Sequence, residues 1–150
     1  MIIQVQDARV ADRSKIPAEA DFKQWVWLAA RDKTIKGKEC AGITVRVVDS
    51  DEMQRLNREF RQMDKPTNVL SFTYDDHPEG YLGDVVICAP LVAREAREKS
   101  VPVAHHWAHL TVHGVLHLLG YDHETAQQAA EMELLETKLL ATLNIADPYR

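Results

Sequence analysis

HGVLHLLGYDH, residues His113 to His123, holds three histidines at spacings of four and six, with Gly120 shortly before the last. Its reading sets the central helix of the fold and the turn that ends it. Six of the chain's seven histidines fall between His105 and His123. On an α-helix, residues four apart share a face. His109, His113 and His117 therefore form one stripe, with His106 close to the same line, and Trp107, Leu116, Leu118 and Leu119 supply apolar surface nearby. A stripe of imidazoles makes a poor core, because each ring needs partners for its nitrogens and unpaired burial is costly. A metal ion relieves that cost by taking a lone pair from each ring. Glycine just past a helix end readily adopts the left-handed conformation and reverses the chain. Gly120 thus lets His123 reach the point faced by His113 and His117. The pattern HxxxHxxGxxH predicts three neutral nitrogens around one centre with a fourth position open, which is the catalytic rather than the structural arrangement for zinc. Nickel or another divalent metal suits the same donors. Any one of these histidines alone reads better as a satisfied core or surface residue; the three together, with the glycine in place, carry the metal reading. His105, His106 and His109 are expected to be non-ligands: supporting, substrate-facing or merely exposed.

The spacing equals that of the zinc peptidase pattern HExxHxxGxxH, but Gly114 stands where the peptidase general base belongs. Without that carboxylate a peptidase lacks the group that activates its water. Glu124 and Asp122 are nearby, yet neither holds the helical position that works in peptidases. The site reads as hydrolytic and as wrong for peptides.

Working outward, Ala104 to Leu119 is the helix, restarted by Pro102. A last helix is expected from about Thr125 to Leu143, with Met132, Leu135, Leu139 and Leu143 as a core-facing stripe. Upstream, residues 2–6 (IIQVQ), 43–49 (ITVRVVD), 68–74 (NVLSFTY) and 83–89 (GDVVICA) read as strands from their alternation and β-branching. Phe22 to Ala30 reads as an amphipathic helix. Asp49, three residues before Glu52, predicts a capping box that opens a helix through Phe60. Pro90 suits the first turn of a helix running to about Lys99. Residues 77–80 (HPEG) read as a turn. The pattern has no repeat, linker or low-complexity tract. It predicts an α+β fold in one domain over residues 1–150: a small mixed four-stranded sheet with about five helices packed on it.

The length of 150 residues suffices for a real core, and 45% hydrophobic with 27% charged residues is ordinary for a globular chain. No apolar run is long enough to span a membrane. The N-terminus lacks the basic start and apolar stretch of a signal peptide, so the expected location is the cytoplasm. Cys40 and Cys88 stand far apart and are expected to be small buried hydrophobes rather than a disulfide. A net charge of −5 argues against a general nucleic-acid coat protein, since such proteins gain affinity from excess Lys and Arg. A local basic groove is still compatible with it. Arg55 to Lys65 (RLNREFRQMDK) places three arginines and a lysine in eleven residues, readable as a groove or as a solvated helix face.

These stretches together resemble the YbeY family of bacterial metal-dependent endoribonucleases. HGVLHLLGYDH matches its signature, residues 56–72 (LNREFRQMDKPTNVLSF) its LNxxYRxxDxPTNVLSF segment, and residues 82–88 (LGDVVIC) its LGDxxI segment. Order and spacing also agree, over roughly residues 43 to 149. Phe60 replaces the usual tyrosine, with little effect expected. The resemblance implies a metal held by His113, His117 and His123, zinc being the first expectation. It implies action on single-stranded RNA, in maturation of the 3′ end of 16S ribosomal RNA and in ribosome quality control. The implied partners are ribosomal RNA and the small ribosomal subunit or its proteins, with neither DNA nor membrane.

The family's functional arginine falls on Arg61. The chemistry is compatible, because developing charge on a phosphodiester needs a cation and a guanidinium meets it with two prongs. Arg61 comes ahead of Arg58 and Arg55, on the expectation that Phe60 packs inward and leaves Arg61 facing a groove. Its alternative is a surface salt bridge. Lys65 could add phosphate attraction. Asp84 either orients a ligand histidine or bonds backbone in its turn, and the second is favoured. Asp122, beside His123, invites the same pair of readings. Asn68 and Ser71 could line the groove, although Thr67 and Asn68 could equally be turn residues. Two other classes stay open: a metallohydrolase of another substrate, and a ribosome-associated assembly factor whose metal is mainly structural. A fourth protein ligand, such as His109, would favour the latter.

Overall fold

The computed structural model describes residues 1–31, 41–74 and 80–150, together with the backbone of 34–35 and 38–39. Cys40 and most of the expected turn at 77–80 lie outside the described residues. The elements in order are β1 (Ile2–Asp7), α1 (Glu19–Ala30), β2 (Thr34–Ile35), β3 (Lys38–Glu39), β4 (Gly42–Val48), α2 (Ser50–Arg61), β5 (Val69–Thr73), β6 (Tyr81–Cys88), α3 (Ala89–Lys99), α4 (Val103–Leu118) and α5 (Ala126–Ala141).

Four strands form one mixed sheet in the order β1-β4-β6-β5, while β2 and β3 pair as a separate short hairpin. β1 lies parallel to β4 and β4 parallel to β6; β5 runs antiparallel to β6, with Ser71 opposite Val85, and closes one edge. The expected α+β architecture, with a four-stranded mixed sheet and five helices, is the one observed.

Alternation along the strands separates the two faces. Ile43, Val45, Val47, Val85 and Ile87 join Phe22, Val26, Trp107, Val112 and Leu116 in the larger cluster, between the sheet, α1 and α4. Val48, Leu70, Val86 and Cys88 join Met53 and Leu91 in a smaller one, beneath α2 and α3. Cys88 is a fully buried free thiol, and burial pushes its pKa up, so it behaves as the small hydrophobe the sequence predicted.

α4 is the hub. Trp107, Ala108, Val112, Val115 and Leu116 are all within 1% of full burial, which a helix achieves only when covered on most sides. It lies against α1, the strands β5 and β6, α3 and α5. Gly114 marks its closest approach to the sheet. A Cβ there would stand 2.5 Å from Cγ1 of Val85 and 3.3 Å from Cγ2 of Val69. The peptidase glutamate is thus sterically impossible at this position, because the position faces the sheet.

Two expectations are corrected. Asp49 does precede α2 in extended conformation, but its side chain makes no cap bond. Its carboxylate instead accepts from the backbone N–H groups of Val10 (2.7 Å), Ala11 (3.0 Å) and Asp12 (2.9 Å). The chain leaving β1 needs acceptors there, and three backbone donors outcompete one cap. Glu52, the other half of the expected box, pairs with Arg46 at 2.8 Å. On α5, the fully buried line runs through Met132, Glu136 and Leu140, while Leu135, Leu139 and Leu143 pack half-buried beside it. Thr125 caps that helix, its hydroxyl accepting from Gln128 N at 3.1 Å.

Among the described residues, no helix is long and apolar enough to cross a membrane.

Candidate metal centre

α4 ends as the glycine predicted. Gly120 has φ +101°, Tyr121 N donates to Leu116 O at 3.1 Å, and Gly120 N donates to His117 O at 3.1 Å. These are the two bonds of a Schellman cap, which reverses the chain after the last turn. The reversal brings His123 back over the helix. Its ring centroid lies 5.6 Å from that of His113 and 5.8 Å from that of His117.

The unexpected member is Glu136. It reaches α4 from α5 with no exposed surface. One carboxylate oxygen lies 2.5 Å from His113 Nδ1; the other lies 3.3 Å from His109 Nε2 and accepts from the Tyr149 hydroxyl. Burial pushes its pKa up, but the bonds from His109, His113 and Tyr149 outweigh burial and hold it at about 2. An ionised carboxylate only accepts, so the proton sits on His113 Nδ1 and Nε2 of His113 is left as the lone-pair donor. This is the carboxylate–histidine relay that fixes the tautomer of metal-ligating imidazoles. The signal for it in the sequence is faint: a lone glutamate four residues from each of two apolar positions, opposite a histidine-rich helix.

Among the described residues, two sets of side chains offer ligand atoms within 4.8 Å of one another, His109 with His113 and Glu136, and His117 with Asp122 and His123. His113 thus belongs to the first set and also borders His123. His117 Nδ1 is buried without a hydrogen-bond partner. Burial foremost, with the neighbouring His113 adding to it, pushes the His117 pKa below its usual value and keeps the ring neutral, as ligation requires. A buried anion at Glu136 is also stabilised by positive charge nearby. The donors present therefore fit a borderline divalent cation.

The remaining predicted residues divide. Asp122 accepts from His123 N at 2.7 Å, the backbone bond of its second reading, and its carboxylate also lies within 4.8 Å of ligand atoms of His117 and His123. His109 is buried and bonds Glu136, a supporting position. His106 bonds Glu95 at 2.8 Å, and Asn68 donates to the same carboxylate at 3.1 Å, so Asn68 is a fastening between β5 and α3. Asp84 is not part of the histidine site. It faces the α2 side of the sheet, alternating with Gly83 and Val85, and accepts from the Tyr74 hydroxyl at 2.5 Å. Lys65 lies exposed in the turn after α2, where its carbonyl accepts from Asn57 at 2.8 Å. Arg58 is paired with Asp64 at 3.6 Å on the surface.

Arg61 does face a cleft, though not for the expected reason. Phe60 is 53% exposed rather than packed inward. The Arg61 guanidinium donates to Ser71 O at 3.1 Å and lies 5.4 Å over the Phe72 ring. No carboxylate pairs with it among the described residues, so its charge is available to an anion. Ser71 then connects the two regions: its hydroxyl donates at 2.9 Å to the carbonyl of Gly114, the residue after His113. Arg61 and His113 are held to the two sides of one edge-strand residue.

A four-stranded mixed sheet thus carries a histidine helix, a Schellman turn and a returning histidine, with side chains that could hold a metal. Residues 5–144 match the family model described as endoribonuclease YbeY. A protein of that name from Alkalilimnicola ehrlichii is 56% identical over 94% of this chain and 87% of its own length. Another from Stenotrophomonas maltophilia is 50% identical over 91% of this chain and 87% of its own. The solution structure of the Thermotoga maritima protein TM1509 shares the fold, with a TM-score of 0.57 at 21% identity, covering 95% of this chain and 92% of the other. The chain belongs to the YbeY family.

Proposed function

We propose that this protein is a metal-dependent endoribonuclease that cleaves single-stranded RNA, with His113, His117 and His123 holding a zinc ion and Arg61 gripping the phosphate. The relatives' name supplies the reaction class. The observation that carries the metal reading is Glu136, whose carboxylate accepts a hydrogen bond from His113 Nδ1–H and leaves Nε2 as the lone-pair donor beside His123. A bound divalent ion would supply Lewis acidity toward a phosphoryl oxygen and a water acidic enough to ionise near neutral pH. Arg61 meets the charge that develops on the phosphodiester through a two-pronged guanidinium held on Ser71 O and over Phe72. The edge strand β5 keeps that guanidinium in register with the histidine helix through the Ser71–Gly114 bond. Maturation of the 16S ribosomal RNA 3′ end and ribosome quality control, in the cytoplasm and on the small subunit, are the roles the family assignment favours.

A second reading has one observation in its favour. Asp122 stands with His117 and His123 and could close the shell as a fourth ligand, the arrangement of a structural metal in an assembly factor. One experiment addresses both. Purified, metal-analysed protein is incubated with an unstructured RNA and a matched DNA, with and without chelator, beside His113→Ala, His117→Ala, Arg61→Ala and Asp122→Asn. The nuclease reading expects RNA-only cleavage that is lost with chelator and in the first three variants and kept in Asp122→Asn. One metal per chain without cleavage, and metal loss in Asp122→Asn, would favour the structural reading. Cleavage that survives in His113→Ala would remove the case for the three-histidine centre.

A further inference from the structure

We propose that the cleft between α2 and the edge strand β5 is a stacking subsite for an unpaired nucleobase, with Phe60, Phe72 and Tyr74 as its rings. The proposal rests on the endoribonuclease reading and adds where the strand is gripped. The cleft measures about 570 Å³, and Leu56, Val86 and Arg61 also line it. That size lies within the range of small-ligand sites, about 300–1,000 Å³. Phe60 and Tyr74 are 53% and 44% exposed and share the cleft with buried Val86. Both rings are braced. Phe60 meets Phe72 edge to face at 5.3 Å, and the Tyr74 hydroxyl is fastened to Asp84 at 2.5 Å. Braced rings lose little freedom when a base settles on them.

Charge decides which part of a nucleotide enters. Arg46, Glu52 and Asp84 line the cleft; Arg46 and Glu52 pair with each other at 2.8 Å, which leaves Asp84 as the acidic group beside the Tyr74 hydroxyl. Carboxylates repel a phosphate but accept from the amino and ring N–H groups of a base. Arg61 stands at the margin that Ser71 ties to the histidine helix. The geometry therefore places the base inward and the phosphate at Arg61, toward the metal centre. The net charge of −5 points the same way, because an acidic chain gains little from the phosphate backbone alone. Stacking needs no charge and works with any base. A paired base must first unstack and unpair, which costs free energy, so this cleft favours single strands.

The test is equilibrium binding of the full chain, in chelator to prevent cleavage, to an RNA oligonucleotide carrying 2-aminopurine and to the same backbone with abasic residues. Wild type is expected to quench the 2-aminopurine and to prefer the base-containing strand. Phe60→Ala is expected to lose about tenfold or more in affinity for that strand and little for the abasic one. Phe60→Tyr is expected to restore both signals, and Phe60→Leu, which keeps apolarity without a ring, to restore neither. Equal losses on both strands, no loss in Phe60→Ala, or full rescue by Phe60→Leu would overturn the subsite and indicate a purely apolar contact. Cleavage with metal restored is scored separately. A wild type that cuts RNA without base-dependent binding sinks the subsite alone. One that binds through bases without cutting sinks the nuclease reading and leaves the subsite standing.

Discussion

Glu136 has no exposed surface and is surrounded by His109, His113 and Tyr149. Replacing it by glutamine keeps the shape but removes the charge and forces an N–H toward a donor. Metal affinity in Glu136→Gln is expected to fall by about 10- to 100-fold, measured by competition with a chromophoric chelator. An unchanged affinity would reduce Glu136 to a packing residue. Gly114→Ala probes the opposite constraint. Its Cβ would press on Val85 at 2.5 Å, so urea unfolding is expected to show a loss of about 1–3 kcal/mol. At this scale the sequence was readable wherever one helix and one turn sufficed. The approach of His123 to His113 and His117 follows from helical period and a glycine. Glu136 does not, because it becomes visible only when α5 is laid against α4, and no local period says which helices will touch. Phe60 stays half outside because burial of apolar residues is a one-way rule: many remain exposed.

Elements set the site's tolerances. The Schellman turn after α4 carries His123, and Gly120 at φ +101° is the residue that permits it. A side chain there meets nothing in space, so the expense of Gly120→Ala is purely conformational, about 1–2 kcal/mol. Calorimetric unfolding of the metal-free protein is expected to show that loss, with a weaker grip on metal as His123 drifts. A variant as stable as wild type would mean that the turn has another low-energy form. The α2 end teaches a different lesson. The Asp49–Glu52 spacing correctly announced a helix start, yet both side chains serve other partners: the chain after β1 and Arg46. Local motifs locate boundaries well; the bonds that satisfy them are decided by whichever distant segment arrives with unpaired groups.

At the scale of the molecule, acid is expected to loosen the fold before it harms the carboxylates. Burial foremost lowers the His106 pKa, with Glu95 only partly opposing it. The unfolded chain therefore binds a proton that the folded chain resists, and stability falls as pH drops through about 6.5 toward the folded value. Urea midpoints of the metal-free protein should decline from pH 7.5 to 5.5, and His106→Gln should flatten part of that decline. A decline of the same steepness in His106→Gln would assign the effect to other groups. The sheet also ends at β5, where Arg61 is hydrogen-bonded to Ser71 O. An edge strand invites a second copy to add itself, and a charged side chain laid against it discourages that. Arg61 would therefore have a colloidal duty beside its proposed chemical one: discouraging a second copy from pairing with this edge. An arginine-less variant would be prone to self-association at high concentration, so the loss of a substrate grip and the loss of solubility would arrive together.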